Sequence, residues 1–397
     1  MKLFTHYTDR KIASVFLNVS AGARNENGKF PPGTAHLLEH LLLSGTKNMT
    51  KDQMHEAFAL RGGKENAYTD YESVAVYASI PNEFLEEAVS IISDSIYRPL
   101  LSFKDFAKEK KIVLQEVRDG DDDINEQIEL KFYNQMFHNR LSKGIAGNVS
   151  SVKKISHEHI INYHKTKMKN DRLALIISCN KSIDANRLAN KYFSVDDKFV
   201  VPRKNNWGVK KTGKQVIKID RLTQDKLYMT YPGIPPTVSD RYKYDLLLKV
   251  FSNGWTSRLF KKVREKQGLV YGIGSEMIKH LDANTFCIHA STGAKLADRV
   301  EHSVEEEIKR ITQDAVEDNE LETAKNLVKS TYYRMLDGPW GSSLMNLDKH
   351  IYKIPFAPEE YLDLIMSTTK EDILSAARTL FKENDKRTII MRGKDAK

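Results

Sequence analysis

The chain repeats itself, and that repetition constrains its fold more than any other feature. "VAVYASIPNEFLEEAVSIISDSI" in the first half reads as an alternating strand, a short break and an amphipathic helix, and "NTFCIHASTGAKLADRVEHSVEEEIKRI" in the second half reads the same way. "FAKEKKIVLQEVRDG" finds a counterpart in "LETAKNLVKSTYYRML", both with apolar residues at helical spacing. "ISHEHIINYHKTKMKNDRLALIISCN" then pairs with "TTKEDILSAARTLFKENDKRTIIMRG", each a capped helix, a polar turn and a strand. The order is preserved at an offset of roughly 210–217 positions, far longer than a solenoid period. Two similar α+β domains are predicted, residues 1–200 and 206–397. Each should carry a mixed or antiparallel sheet with helices mainly on one face, since neither half shows a regular βαβα rhythm. The join is expected within residues 195–214, where Pro202, Asn205, Asn206 and Gly208 interrupt both periodicities. A length of 397 residues agrees, being too long for one core.

Composition excludes several classes. Apolar residues make up 40% and charged residues 29%, the balance of a folded globular chain rather than a disordered or membrane one. The longest apolar run, "LLEHLLL", is far shorter than a bilayer span. "MKLFTHYTDRKIASVFLNVSAG" has no uninterrupted apolar segment with a cleavage site and is not Arg/Ser-rich, so the expectation is a cytoplasmic protein or a mature chain whose targeting segment is already gone. Cys179 and Cys287 lie in apolar strand-like runs and read as buried free thiols. The net charge of +9 is spread along the chain without aromatic interleaving, which favours a basic surface for anionic partners over a nucleic-acid site. "GGKEN" and "GLVYGIG" lack the spacing and context of a phosphate loop.

The stretch "PPGTAHLLEHLLLSGTKN" places two histidines and a glutamate in an otherwise leucine-rich helix. Burying a neutral polar group there without a partner costs roughly 2–7 kcal/mol. His36 and His40, four apart, share a face with Glu39 beside them, which supplies two imidazoles for one tetrahedral zinc and a base. H-x-x-E-H is the inverted form of the zinc-protease motif. The pentapeptide alone also fits two helix histidines satisfied by core hydrogen bonds. A catalytic zinc needs a third protein ligand and an open position. Glu109 and Glu116 lie on one face of the helical stretch "FAKEKKIVLQEVRDGDDD". Glu116, set among Ile112, Val113, Leu114 and Val117, is read as that ligand because an unpaired carboxylate there would be costly, and Asp119 to Asp123 as a solvated acidic turn. His157, His159 and His164 imitate a ligand cluster, but the second-half counterpart keeps its helix without them, so they read as surface or capping residues. Taken singly, Arg264 reads as one more exposed base, Tyr271 as a strand-packing aromatic and Asn66 as a turn residue.

Four ordered segments, "GTAHLLEHLLLSGTKN", "RGGKENAYTDYESVAVYASIP", "EKKIVLQEVRD" and "SNGWTSRLFKKVREKQGLVYGIGS", resemble the pitrilysin/insulysin family of inverted-motif zinc peptidases, which includes mitochondrial processing peptidase. The similarity covers essentially the whole chain. It implies that His36, His40 and Glu116 bind one zinc, that Glu39 is the general base and that Glu109 supports a ligand. It also implies that Arg264 and Tyr271 bind substrate carbonyl oxygens and the developing oxyanion. Asn66 and Ala67, in "NAYTDYES", would belong to an edge strand to which an extended peptide is added. The second-half equivalent of the zinc helix, "YKYDLLLKVFSNG", has Asp245, Leu248 and Lys249 at the corresponding positions, so the C-terminal domain should hold no metal. Family members such as insulysin carry two such halves in one chain. A dimer is therefore expected here, either a homodimer or a heterodimer with a related subunit, with Arg264 and Tyr271 serving the partner's zinc. The implied activity is endoproteolysis of oligopeptides, leader peptides or presequences inside a clamshell chamber. The alternatives are a catalytically silent structural or peptide-capturing subunit, and an unrelated metal-binding or nucleic-acid-binding protein with an accidental motif. The chain departs from the family after Glu116, where "RDGDDDINEQ" replaces a proline-containing turn.

Overall fold

Strand alternation and helix spacing resolve into two sheets of one design in a computed structural model, described for residues 1–26, 28–201, 210, 213–219 and 222–393. β1 (Lys2–Thr8), β2 (Ile12–Val19), β3 (Lys64–Thr69), β4 (Val74–Pro81) and β5 (Leu173–Asn180) form a five-stranded sheet in the order β1-β5-β2-β4-β3. β6 (Gly213–Ile219), β7 (Asp225–Pro232), β8 (Val270–Ile278), β9 (Thr285–Thr292) and β10 (Arg387–Gly393) form the other, in the order β6-β10-β7-β9-β8. In each sheet the first and last strands pair in parallel and the remaining pairs are antiparallel. The same mixed topology thus occurs twice, the duplicated α+β fold expected from the repeats.

The first half adds α1 (Thr34–Leu42), α2 (Lys51–Ala59), α3 (Leu85–Tyr97), α4 (Phe103–Asp122) and α5 (Ile124–Met136). Leu85, Ala88, Val89, Ile92 and Ile96 of α3 enter one apolar core with Val15 and Leu17 of β2 and Val76 and Ala78 of β4. The second half repeats this with Val300, Val304 and Ile311 of the helix Ala297–Gln313 and Met229 and Ile288 of its sheet. Each fully buried Leu, Ile or Val contributes about 1.5–3 kcal/mol. The expected turn at Asp119–Asp123 is instead the last turn of α4, and only Asp123 separates α4 from α5. The Gln115 amide donates to Asp119 Oδ1 at 2.6 Å, and Asp123 Oδ1 accepts the N–H of Asn125 at 2.7 Å to start the next helix. Side-chain pairing along the helix offsets the weak propensity of Asp and Gly.

The chain forms two compact units, and neither is one continuous stretch: Met1–Leu130, Asn139–Asn205 and Met335–Leu347 make the first, and Lys131–His138, Asn206–Arg334 and Asp348–Lys397 the second. Pro202, Asn205, Asn206 and Gly208, where the join is expected, lie outside the described residues. Trp340 belongs to the first unit because its ring packs edge-on against Phe16 of β2, with centroids 5.3 Å apart. Phe132 belongs to the second because it packs on Tyr228, with centroids 4.6 Å apart. Cys179 and Cys287 are free and buried. Among the described residues no helix is long and apolar enough to cross a membrane.

Candidate metal centre

The helix that carries the motif is held by its leucines. Leu37, Leu38, Leu41 and Leu42 of α1 are buried, which leaves His36, Glu39 and His40 together on the partly open face. α1 begins at Gly33, whose φ is 97°, and a Cβ there would lie 2.3 Å from the Ala146 carbonyl oxygen. Only glycine fits that approach. Glycine cannot cap with a side chain, and the buried Glu26 takes over: its Oε1 accepts the N–H groups of Gly33 at 3.0 Å and Ala35 at 3.1 Å. Glu26 Oε2 is paired with the Arg140 guanidinium at 2.6 Å, and Arg140 donates three further N–H groups to the carbonyls of Lys143, Gly144 and Ile145. The first turn of α1, which contains His36, is thereby fastened to a distant loop.

Glu116 of α4 reaches the two histidines. Its Oε1 lies 3.5 Å from His36 Nε2 and its Oε2 3.5 Å from His40 Nε2, and the two imidazole rings stand nearly perpendicular with centroids 4.8 Å apart. One donor atom from each of His36, His40 and Glu116 lies within 4.8 Å of the others, the only such group of three among the described residues. Donors held about 2.0–2.2 Å from one tetrahedral ion stand roughly 3.3–3.6 Å apart, the separation each imidazole Nε2 has from one Glu116 oxygen, and two imidazoles with a carboxylate are a donor set that suits zinc and leaves a fourth position open. Glu39 lies alongside, its Oε2 3.9 Å from His36 Nε2 and 3.1 Å from the Thr69 hydroxyl that donates to it.

Glu116, expected among apolar residues, is the more open of the two carboxylates of α4. Glu116 is half exposed and Ile112 beside it is exposed, whereas the Glu109 side chain is 4% exposed. Phe106, Glu109, Val113 and Val117 form the core-facing stripe of α4, which turns Glu116 outward. Glu109 is accommodated by Lys51, whose Nζ lies 3.0 Å from Oε1, while Oε2 stands 3.4 Å from His40 Nδ1. Such a carboxylate behind a ligating imidazole fixes its orientation.

Burial pushes the His36 imidazole down to about 4, against the opposing charge of Glu116, and so keeps it neutral and able to ligate. Burial also opposes protonation of His40, but its hydrogen bond to Glu116 and the charge of Glu39 outweigh that and raise it above the ordinary value. Burial raises Glu39, with His40 and the Thr69 hydrogen bond acting the other way. A raised carboxylate takes up a proton more readily than an ordinary one, as a base must. The His40 hydrogen bond holds Glu116 low.

Asn66 and Ala67 lie in β3, at one edge of the first sheet, with the Asn66 side-chain oxygen accepting the Ala67 N–H at 2.8 Å. Arg264 and Tyr271 lie in the second unit, the guanidinium carbon 4.9 Å from the Tyr271 ring centroid, and Tyr271 is 81% exposed. His159 completes a capping box with Ser156, and His157 and His164 donate to the carbonyls of Leu101 and Ile96. In the second half, Asp245 stands on the helix Tyr242–Phe251, half-buried and accepting from the Tyr361 hydroxyl at 2.8 Å. Lys51, Thr69, Glu26 and Arg140 carry no signal in the sequence that singles them out. An Asp or Glu some residues before a glycine-capped helix is the nearest hint, and only for Glu26.

Residues 3–149 match the family model "Insulinase (Peptidase family M16)", and residues 154–328 match "Peptidase M16 inactive domain". The chain is 28% identical over 386 residues to an uncharacterized zinc protease of Rickettsia bellii, covering 96% of this chain and 92% of that protein. It is 24% identical over 390 residues to one of Bacillus subtilis, covering 92% and 90%. The crystal structure of a protease from Helicobacter pylori has the same fold, with a TM-score of 0.87 at 17% identity, covering 98% of this chain and 96% of that one.

Proposed function

Because the chain belongs to peptidase family M16, the insulinase or pitrilysin family, we propose that it is a zinc-dependent endopeptidase cleaving extended oligopeptides, leader peptides or presequences. The observation that carries this reading is the convergence of His36, His40 and Glu116 with Glu39 beside them. Zinc held by those three side chains supplies Lewis acidity toward a carbonyl oxygen and a water. Glu39 takes a proton from the attacking water and later delivers it to the leaving amine, the two roles a raised carboxylate can alternate between. A peptide lies along β3, adding a strand by main-chain hydrogen bonds past Asn66 and Ala67, so affinity depends little on its side chains. Arg264 and Tyr271 supply a cationic and a phenolic donor to the substrate oxygens, contributed to the site of a partner subunit in a dimer. A silent peptide-capturing subunit would have no use for a base, and the complete set of base and ligands favours hydrolysis.

The test is cleavage of an internally quenched oligopeptide by the zinc-loaded protein, by chelator-stripped protein and by Glu39→Gln. Stripped protein should lose activity and regain it with zinc. Glu39→Gln should keep its zinc and lose about 10²–10⁴-fold in kcat. Full activity in either state rules the reading out.

A further inference from the structure

The proposed base has a partner that its own helix does not supply. Thr69, the last residue of β3, donates from its hydroxyl to Glu39 Oε2 at 3.1 Å, and that oxygen also carries the 3.9 Å contact to His36 Nε2. We infer that Thr69 is a positioning residue that fixes the rotation of the Glu39 carboxylate, so that the strand proposed to receive the peptide also aligns the base. This rests on the reading of Glu39 as general base.

Strand geometry explains why the contact is available. Alternation along β3 exposes Lys64, Asn66 and Tyr68 and turns Glu65, Ala67 and Thr69 to the more covered face, the side on which α1 lies. The end of the strand is fixed by the turn that follows. Asp70 Oδ1 accepts the N–H groups of Glu72 at 2.6 Å and Ser73 at 2.5 Å, and the Asp70 N–H donates to the Ser73 carbonyl at 2.9 Å.

That turn is held by the segment that also starts α1. The N–H of Ala23 donates to the Asp70 carbonyl and that of Arg24 to the Tyr71 carbonyl, each at 2.9 Å. Arg24 Nη1 and Glu72 form a buried ion pair at 2.8 Å. Gly22 runs so close that a Cβ would lie 2.3 Å from Ser73 N. Two residues beyond Arg24, Glu26 caps the first turn of α1. Residues 22–26 therefore fasten both the strand end that bears Thr69 and the helix that bears Glu39. With both ends braced, the hydroxyl and carboxylate meet without a search through rotamers, which is what pre-organisation requires of a base.

The experiment compares zinc-loaded wild type, Thr69→Val and Thr69→Ser on an internally quenched oligopeptide. Valine keeps the branched shape and removes the donor. Thr69→Val should lower kcat by about 10–100-fold, the worth of a hydrogen bond to a charged group, with KM and zinc stoichiometry unchanged. Thr69→Ser should recover to within about threefold of wild type. Overturning results are a Thr69→Val kcat close to wild type, an equal loss in the serine variant, or a change confined to KM or zinc content. Crystal structures of zinc-loaded wild type and Thr69→Val add a readout that does not need turnover. A Glu39 carboxylate rotated in the valine variant supports the assignment, and one in its wild-type rotamer overturns it. Wild type that binds zinc but cleaves nothing would sink the peptidase reading, while the rotamer comparison still decides what Thr69 does.

Discussion

Glu109 and Glu116 stand two turns apart on α4 and face different media. Glu116 opens toward solvent and, among the described residues, pairs only with the two histidines that would share its ion, whereas Glu109 is committed to Lys51 and the back of His40. Their substitution should separate on that basis. Glu116→Ala removes a donor and should abolish stable zinc binding. Glu109→Gln keeps a hydrogen-bond acceptor near His40 and should weaken zinc by about 10–100-fold. Competitive titration against a chromophoric chelator measures both, and equal affinities for the two variants would contradict the division of roles.

Among the elements, α1 depends most on side chains from outside itself. Nine residues are a short helix, and without tertiary support such a length is marginal in water. Its leucine face supplies the packing, and the Glu26–Arg140 pair supplies the N-terminal cap that Gly33 cannot. Glu26→Ala leaves the Arg140 guanidinium buried and unpaired, so a loss of about 3–5 kcal/mol is expected in urea denaturation. Glu26→Gln retains an oxygen for the two N–H groups and should lose less. If the two variants were equally stable, the cap would not be what anchors α1.

At the scale of the molecule the important fact is the repetition of one topology with the chemistry kept in one copy. The helix Tyr242–Phe251 occupies the place of α1 in the second half, but Asp245 there is hydrogen-bonded to the Tyr361 hydroxyl and Leu248 is buried in the core. Half-buried Arg264 and exposed Tyr271 remain in that half, the guanidinium over the ring. If a dimer shares sites, mixing Glu39→Gln with Tyr271→Phe subunits should restore cleavage above either parent, because each mixed dimer assembles one intact set. Proven mixed dimers without recovery would exclude sites built in trans.

Local chemistry made much of this legible in the residues alone. Spacing of four put His36 and His40 on one helical face, leucines at the intervening positions buried that helix, and recurring strand–helix patterns announced two copies of one fold. These properties depend on neighbours a turn or a strand away, which is why the order of residues determines them. Tertiary structure decided the rest: Lys51 meets Glu109 across 58 positions, Thr69 meets Glu39 across 30, and Arg140 meets Glu26 across 114. It also exposed Glu116 and buried Glu109, since the core-facing stripe of α4 is set by which side of the helix meets the rest of the first unit. Periodicity identifies which residues share a face, but only long-range packing determines whether that face meets solvent, a core or a charge.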